Sequence, residues 1–239
     1  MSTRKAVIGL ITARGGSKSI PRKNVLPVGG KPLIEWTIQA AKGSGCLDRV
    51  ILSTEDEEIA RFAAEKGVEV PFLRPAELAQ DDSPHIDAVL HAILWLAKQE
   101  HYTPDYIVLL QPTSPLRTSE DIAGAVKLAL EKEADSVVSV STLKKHPYLS
   151  FKINEEGRLE DFLARPEGYL RRQALPAVYA LNGAVYVVRR AVLLAARTFL
   201  PSGTLAYIMP EERSIDVDTP WDMHVVDMIL TERAAGESH

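Results

Sequence analysis

ARGGSKSIPRKN, residues 13–24, is a loop of glycines and cations between a predicted strand and a predicted helix. The apolar run before it, residues 6–12, indicates a buried strand, and residues 33–41 after it have the pattern of a helix. Gly15 and Gly16 permit a tight turn that exposes backbone N–H groups. A loop of this kind, at the carboxyl end of a first strand, is where α/β proteins bind phosphate.

Four cations lie on this loop, at Arg14, Lys18, Arg22 and Lys23. This charge density predicts that the loop neutralises a triphosphate, although a solvated basic surface loop is the alternative. The loop is neither a P-loop nor a dinucleotide-binding fingerprint, because the Gly-x4-Gly-Lys-Ser/Thr and GxGxxG spacings are both absent.

Length and composition narrow the class of protein. The chain has 239 residues, of which 46% are hydrophobic and 25% charged, as expected for one sizeable globular domain. A formal net charge of -4 argues against a nucleic-acid partner, while small anionic substrates stay possible through local cation clusters. One cysteine, Cys46, excludes an intrachain disulfide.

The N-terminal sequence and the length of the apolar runs indicate where in the cell the protein is expected. Met-Ser-Thr-Arg-Lys leads directly into the predicted first strand, and we therefore expect no signal peptide. The apolar runs are too short to span a membrane. We expect a cytoplasmic protein without a membrane partner.

Strands and helices alternate as far as residue 141. Predicted strands lie at 49–53, 68–73, 106–111 and 136–141, and predicted helices at about 57–66, 84–100 and 120–132, the last capped by Ser119. Later elements are strands at 182–189 and 205–209 and a closing helix at 219–232. This rhythm predicts an α/β fold, a mostly parallel sheet with helices on both faces, in a single domain over residues 1–239.

Residues 144–178 interrupt the alternation and are predicted to form an inserted arm. Residues 151–159 have the pattern of a β-hairpin with its turn at 154–157. A hairpin is too small to bury Phe151, Ile153, Leu159 and Phe162 by itself. We therefore predict a homodimer with this arm at its interface.

Two carboxylates, Asp216 and Asp218, stand at i and i+2, which places them on one face of an extended segment. Their mutual repulsion is relieved if a divalent cation bridges them. Mg²⁺, with Mn²⁺ as the alternative, binds carboxylate oxygens together with substrate phosphates. The competing interpretation is that Asp218 merely caps the helix that follows at Thr219.

Further polar residues lie where strands begin or end. Gln111 closes an apolar core strand, at the sheet edge that faces the ligand crevice in an open α/β fold. Asn182 opens another apolar strand, where Asn before Gly either forms a turn or directs its amide into the site. Tyr186 is predicted to be either a core residue or a ligand contact. The histidines have no metal-ligand spacing, and we predict structural roles for His85, His91 and His146.

Four motifs of the chain resemble the acylneuraminate cytidylyltransferases, the CMP-sialic acid synthetases. They are the 13–24 loop, Gln111-Pro-Thr-Ser-Pro-Leu-Arg117, Asn182-Gly-Ala-Val-Tyr186 and Ser214-Ile-Asp-Val-Asp-Thr219. The four occur in family order and together extend over nearly the whole chain. The resemblance implies an enzyme that transfers CMP from CTP to the anomeric hydroxyl of a free nonulosonic acid, with release of pyrophosphate.

The resemblance also implies roles for individual residues. The CTP residues are Arg14, Gly15, Ser17, Lys18, Lys23 and Asn24, with a cytosine and ribose pocket from Arg74 to Ser83. The sugar residues are Gln111, Asn182, Tyr186 and an Arg172 offered across the dimer interface, and the metal ligands are Asp216 and Asp218. Catalysis is assigned to Arg14, Lys23, Asp216 and Asp218.

The sugar is not determined by these motifs. Sialic acid enzymes of this type commonly have Arg two residues before the Asn of Asn-Gly-Ala, where this chain has Ala180. A related sugar such as a legionaminic-type acid is therefore a candidate, and Kdo-activating enzymes are a related possibility. The remaining alternatives are a hexose-1-phosphate nucleotidyltransferase, suggested by residues 27–34, and a non-catalytic nucleotide-binding module.

Overall fold

The computed structural model describes residues 4–164 and 175–236. Within them the strands are β1 (Val7–Thr12), β2 (Pro27–Val28), β3 (Lys31–Pro32), β4 (Arg49–Ser53), β5 (Tyr106–Leu110), β6 (Ser136–Thr142), β7 (Phe151–Ile153), β8 (Leu159–Asp161), β9 (Tyr179–Arg189) and β10 (Leu205–Ile208). The α-helices are α1 (Leu33–Gly43), α2 (Glu57–Glu65), α3 (His85–Gln99), α4 (Ser119–Glu131), α5 (Arg190–Ala196) and α6 (Pro220–Gly236).

Six of the strands form one sheet in the order β10-β6-β9-β5-β1-β4. The β4–β1, β1–β5 and β6–β10 pairs are parallel, which confirms the predicted mostly parallel sheet. β9 is the exception, since it runs antiparallel to both β5 and β6. Its direction follows from its connection: β6 ends at Thr142, which pairs with Tyr179 at the start of β9, so the chain returns along the strand that it has just left.

Helices cover both faces of the sheet because the strands alternate their side chains. Val7 and Ile11 of β1 pack with helices α1, α2 and α4, whereas Ile8 and Leu10 pack with α3 and α5. Each of these four side chains is at most 2% exposed. The two apolar clusters fix the sheet, and with it the carboxyl ends of β1 and β5.

A third apolar cluster joins the two ends of the chain. Ile20 of the 13–24 loop and Val217, which lies between the two aspartates, share it with Val226 and Leu230 of α6. The backbone of Val217 also donates to the carbonyl of Thr113, at 2.7 Å. These contacts hold the Asp216–Asp218 segment against the glycine-rich loop.

Several predicted elements are corrected. Residues 68–73 form no strand, because only a single bridge between Ile51 and Glu69 is made there. The cap of α4 is Thr118, which exchanges hydrogen bonds with Asp121, and not Ser119. β9 begins at Tyr179, three residues before the predicted start.

The predicted hairpin is present as β7 and β8, which pair antiparallel. Its turn is held by Asn154 Oδ1, which accepts from the N–H groups of Glu156 and Arg158, and by Gly157 at φ 78°. The role of this hairpin in dimerisation stays a prediction. So do the single domain over 1–239 and the 144–178 limits of the arm, part of which lies outside the described residues.

Candidate active site

The 13–24 loop packs against the residues at the start of α2. Asp56 caps that helix by accepting from the N–H groups of Glu58 and Ile59, and a Cβ atom on Gly15 would collide with its carboxylate. The N–H of Gly15 donates to Glu55 Oε1 at 2.7 Å. Glycine is thus required at position 15 for close approach to a neighbouring segment.

The four loop cations have different surroundings. Arg22, at φ 56°, forms ion pairs with Asp56 and Glu58 of the segment that begins α2. Arg14 and Lys18 both pair with Asp81, at 2.8 and 3.1 Å. Lys23, with only 11% of its side chain exposed, points toward the aspartates instead.

The two aspartates differ in burial. Asp218 is 73% exposed and lies 3.7 Å from Lys23 Nζ. Asp216 is largely buried, and its Oδ2 lies 3.0 Å from where a Cβ on Gly183 would be. Burial raises the pKa of Asp216, an effect that a hydrogen bond with Thr113 opposes and the charge of Asp218 reinforces.

Lys23 joins the loop to this carboxylate pair. Its Nζ donates to the carbonyl oxygen of Val217, at 2.7 Å, between the two aspartates. Its positive charge opposes the rise in the pKa of Asp216. The ammonium group of Lys23 therefore links the loop to the aspartate segment, although Lys23 and Val217 are 194 positions apart in sequence.

The helix-cap interpretation of Asp218 is wrong. The cap of α6 is Thr219, whose Oγ1 accepts from the N–H of Asp222 at 3.2 Å, while Asp222 Oδ2 accepts from the N–H of Thr219 at 2.8 Å. The N–H of Asp218 also donates to Asp222. The Asp218 carboxylate is left free to serve another purpose than capping.

A cavity of about 290 Å³ opens beside the loop. Of the residues predicted for the site, it is lined by Arg14, Ser17, Lys23, Asn24, Arg74, Ser83 and Gln111. Lys18 lines an adjoining cleft of about 250 Å³. Gly15, Asn182, Tyr186, Asp216 and Asp218 lie outside the wall of the main cavity, and Arg172 lies outside the described residues.

Several wall residues are already engaged in building the cavity. Asn24 is 8% exposed and donates from Nδ2 to the carbonyl of Arg14, which bridges the loop. Ser83 Oγ donates to the carbonyl of Glu77 at 2.6 Å. These contacts shape the site, and direct contacts of both residues with CTP stay predictions.

Two residues that sequence reasoning missed also shape the cavity. Glu55 accepts from Arg74 at 2.5 Å as well as from Gly15, and thus ties the loop to the opposite wall. His85, predicted to be structural, lines the cavity with Nε2 2.6 Å from Thr12 Oγ1. Burial, reinforced by the charge of Arg74, lowers the pKa of the His85 imidazole. The available signal was position: Glu55 lies two residues after the end of β4, and His85 is the first residue of α3.

Asn182 and Tyr186 lie on β9, the strand that passes beside Asp216. The Asn182 side chain is 4% exposed, accepts from Ser139 at 2.6 Å and donates to Ser214 at 2.9 Å. Tyr186 is half-buried against Phe199, with ring centroids 5.7 Å apart, and burial and the charge of Asp216 raise its pKa. Sugar contacts of both residues stay predictions.

Arg117 supports the floor of the site from within. It is 3% exposed, and its guanidinium donates to the carbonyls of Ala184 and Gln111 at 2.6 and 3.2 Å and to Thr37 Oγ1 at 2.6 Å. Burial lowers its pKa to about 9, partly offset by Asp121, so it stays charged at neutral pH. Arg117 thus joins α1, β9 and the end of β5.

The aspartates fit a hard divalent cation. Asp216 Oδ1 is buried with no hydrogen-bond partner among the described residues, as expected of an oxygen that awaits a ligand. No group of three or more His, Cys, Asp or Glu side chains in the described ranges is placed to hold a metal. Two carboxylates suffice for Mg²⁺, which takes its other ligands from substrate phosphates and water.

The chain is similar in sequence to proteins of known family. The model of the cytidylyltransferase family matches residues 8–201. An N-acylneuraminate cytidylyltransferase of Streptococcus agalactiae serotype V is 36% identical over 96% of this chain, which spans only 55% of that relative. A CMP-N,N'-diacetyllegionaminic acid synthase of Legionella pneumophila is 35% identical over 95% of both chains.

The fold has a counterpart among solved structures. A CMP:2-keto-3-deoxy-manno-octonic acid synthetase complexed with CTP superimposes with a TM-score of 0.72, covering 95% of this chain and 99% of that one. At 17% identity this likeness concerns the fold alone. No helix in the described ranges is both long and apolar enough to cross a bilayer.

The family match extends over more than half of the chain, although Asp216 and Asp218 lie beyond it. The Legionella relative, by contrast, is matched along nearly its whole length. The resemblance inferred from the four motifs is thereby confirmed, and the chain belongs to the cytidylyltransferase family.

Proposed function

We propose that this chain transfers CMP from CTP to the anomeric hydroxyl of a free nonulosonic acid and releases pyrophosphate. The observation that carries the proposal is the position of Lys23, which lines the cavity beside the phosphate loop and also donates to Val217 between the two aspartates. A triphosphate in the cavity and a carboxylate pair for a divalent cation are the two requirements of nucleotidyl transfer.

The reaction is an in-line substitution at the α-phosphorus. The anomeric oxygen forms a bond to phosphorus, the bond to the bridging oxygen of pyrophosphate breaks, and the hydroxyl proton leaves to solvent. Negative charge spreads over the phosphoryl oxygens in the transition state. Arg14, Lys18 and Lys23 stabilise this charge and hold the triphosphate in line, which makes positioning and electrostatics the main catalytic effects.

Asp216 and Asp218 would hold Mg²⁺ or Mn²⁺ at the junction of the nucleotide and sugar sites. Such an ion, when bound, neutralises phosphate charge and lowers the pKa of a coordinated hydroxyl. Lys23 reduces the repulsion between the two carboxylates from the side of the loop.

The sugar side of the site is formed from β5 and β9. Gln111 lines the cavity and offers an amide that both donates and accepts hydrogen bonds. Tyr186 and Phe199 offer an aromatic surface near Asp216. Asn182 supports this side of the site through its hydrogen bonds with Ser139 and Ser214. Arg172 of a second copy completes the site in this proposal.

The relatives support a nonulosonic acid over other sugars. The streptococcal protein is named for N-acylneuraminate and the Legionella protein for N,N'-diacetyllegionaminic acid. Ala180, paired with Ser141 of β6, places no cation near the sugar. This absence favours a legionaminic-type acid over N-acetylneuraminate as the best substrate.

Pyrophosphate release tests the proposal directly. With CTP, Mg²⁺ and a panel of free sugar acids, we expect turnover of nonulosonic acids, with a legionaminic-type acid having a higher kcat/KM than N-acetylneuraminate. UTP, GTP and ATP should release far less pyrophosphate than CTP. A requirement for a hexose 1-phosphate would favour the alternative nucleotidyltransferase, and binding of CTP without any turnover would favour a nucleotide-binding module.

The arm is proposed to form a homodimer. Its hairpin exposes 74% of Ile153, 66% of Leu159 and 54% of Phe162, which a monomer would leave in water. We expect the wild-type protein to have the mass of a dimer in sedimentation or light scattering. Ile153→Asp should shift it to monomers and lower turnover, because Arg172 could then no longer reach a neighbouring site.

The matched control for this variant is Leu94→Asp. Leu94 lies on α3 and is 55% exposed, so it undergoes the same change of an exposed aliphatic side chain to a charge. It should stay dimeric. Monomeric wild-type protein with full activity would contradict the proposed interface.

A further inference from the structure

Asp81 forms ion pairs with two of the three cations, Arg14 and Lys18, that the proposed function assigns to the triphosphate of CTP. Asp81 Oδ1 lies 2.8 Å from an Nη of Arg14, and Asp81 Oδ2 lies 3.1 Å from Nζ of Lys18. Two oxygens of a phosphate group would engage a guanidinium and an ammonium in the same way. Asp81 therefore stands where the chemistry of the site places a ligand.

The contact lies where the main cavity meets the adjoining cleft. Asp81 belongs to the connection before α3, whereas Arg14 and Lys18 belong to the loop after β1. Asp81 and Arg14 line the main cavity, and both line the adjoining cleft together with Lys18. A polyphosphate that reaches Arg14 and Lys18 must first separate them from Asp81.

These ion pairs are also weak enough for a bound anion to replace Asp81. The side chains of Arg14, Lys18 and Asp81 are 37%, 80% and 40% exposed, and ion pairs in such surroundings are weak. A carboxylate tethered beside its cations nevertheless acts at a high effective concentration and competes with any free anion. CTP is also held by its base and by the metal site, but pyrophosphate has no nucleoside to retain it.

We propose that Asp81 is a tethered competitor for the phosphate-binding cations, one that weakens pyrophosphate binding and thereby speeds product release. The proposal rests on the proposed function, since it takes Arg14 and Lys18 as ligands of the leaving group. Asp81 touches no reacting atom in this scheme. Its effect is on affinity for the polyphosphate and not on the chemical step.

The neighbouring aspartate provides a matched control. Asp82 is the next residue of the same exposed connection, and it forms no ion pair with the residues that the structure describes. Asp81→Asn and Asp82→Asn remove the same charge from almost the same place. A general gain in positive potential would affect both variants equally, whereas the loss of a competitor would affect only the first.

The experiment measures binding of inorganic pyrophosphate and of CMP to the wild type and both variants by calorimetry at fixed Mg²⁺ and salt. We expect Asp81→Asn to bind pyrophosphate about five- to tenfold more tightly than the wild type, and Asp82→Asn to stay within about twofold. CMP, which has no outer phosphates, should bind all three proteins alike. Product inhibition by pyrophosphate should strengthen in parallel.

A second background identifies the cations involved. When Lys18→Met is already present, Asp81→Asn should improve pyrophosphate binding by a smaller factor, because one of the two contested contacts is gone. If Asp81→Asn improved pyrophosphate affinity by the same factor with and without Lys18→Met, Asp81 would not compete for Lys18. That result would overturn the proposal.

Failure of this inference differs from failure of the proposed function. If the wild type turns over CTP while Asp81→Asn binds pyrophosphate no more tightly than Asp82→Asn, only the competitor is refuted. If Asp81→Asn binds more weakly, Asp81 organises the cations and the inference is reversed. If the wild type binds neither pyrophosphate nor CTP and turns over no sugar acid, both fail.

Discussion

Asp216→Asn and Asp218→Asn are each expected to lower kcat by about a hundredfold or more, which corresponds to about 3 kcal/mol of transition-state stabilisation. Either change keeps the size of the side chain but removes a charge that the divalent cation needs. Measurements of kcat at several Mg²⁺ concentrations should show that added metal recovers only part of the activity.

The same variants should keep their stability. Asp216 is largely buried, its Oδ1 has no hydrogen-bond partner in the part of the chain that the structure describes, and burial raises its pKa. The folded protein therefore disfavours its ionised form, and Asn relieves that cost. Asp218 is mostly exposed and caps no helix. The thermal midpoint of both variants, measured without metal, should therefore not fall below that of the wild type.

A neighbouring variant controls for structure. Asp222→Asn makes the same chemical change at the residue that accepts hydrogen bonds from Thr219 at the start of α6. It should cost about 0.5–1 kcal/mol of stability and leave kcat within a few-fold of the wild type. Near-normal kcat in both Asp216→Asn and Asp218→Asn would leave no reason to place a metal there.

Arg117→Met is expected to lower the free energy of unfolding by about 3 kcal/mol. Methionine fills a similar volume but removes the guanidinium donor to the carbonyl of Ala184 and the hydroxyl of Thr37, and one of the donors to the carbonyl of Gln111. The removal of a buried charge offsets part of this cost. Chemical denaturation monitored by fluorescence measures the change.

Arg117→Lys separates charge from geometry. Lysine keeps the charge but cannot reproduce a planar fork that reaches three acceptors. We expect an intermediate loss, together with a higher KM for the sugar acid, since Gln111 would be less firmly placed. A loss of less than about 0.5 kcal/mol for Arg117→Met would show that water or neighbouring groups satisfy these acceptors instead.

Local patterns predicted most of the fold. The buried runs of β1 and β5, with helices between the early strands, were enough for a mostly parallel sheet. The direction of β9 was not predictable in this way, because it depends on where the chain re-enters the sheet after the arm. The predicted strand at 68–73 was wrong, because the apolar residues there pack against helices and the segment forms only one bridge, between Ile51 and Glu69.

Seven of the residues predicted for the site line the cavity, but the contacts among them were not predictable. The spacing of Asp216 and Asp218 and the cations of the loop were evident from sequence. Sequence could not show that Arg22 is held by Asp56, or that Asp81 occupies Arg14 and Lys18, because these contacts join segments far apart in the chain. Glu55 was missed for the same reason.

The placement of β9 between β5 and β6 also has a consequence for how the protein is made. β5 emerges from the ribosome long before its neighbour β9, so the two sides of the sheet cannot be closed until the arm between β6 and β9 has been synthesised. Pairing of such distant segments is slow to form. During translation β5 therefore presents an apolar edge to which chaperones can bind.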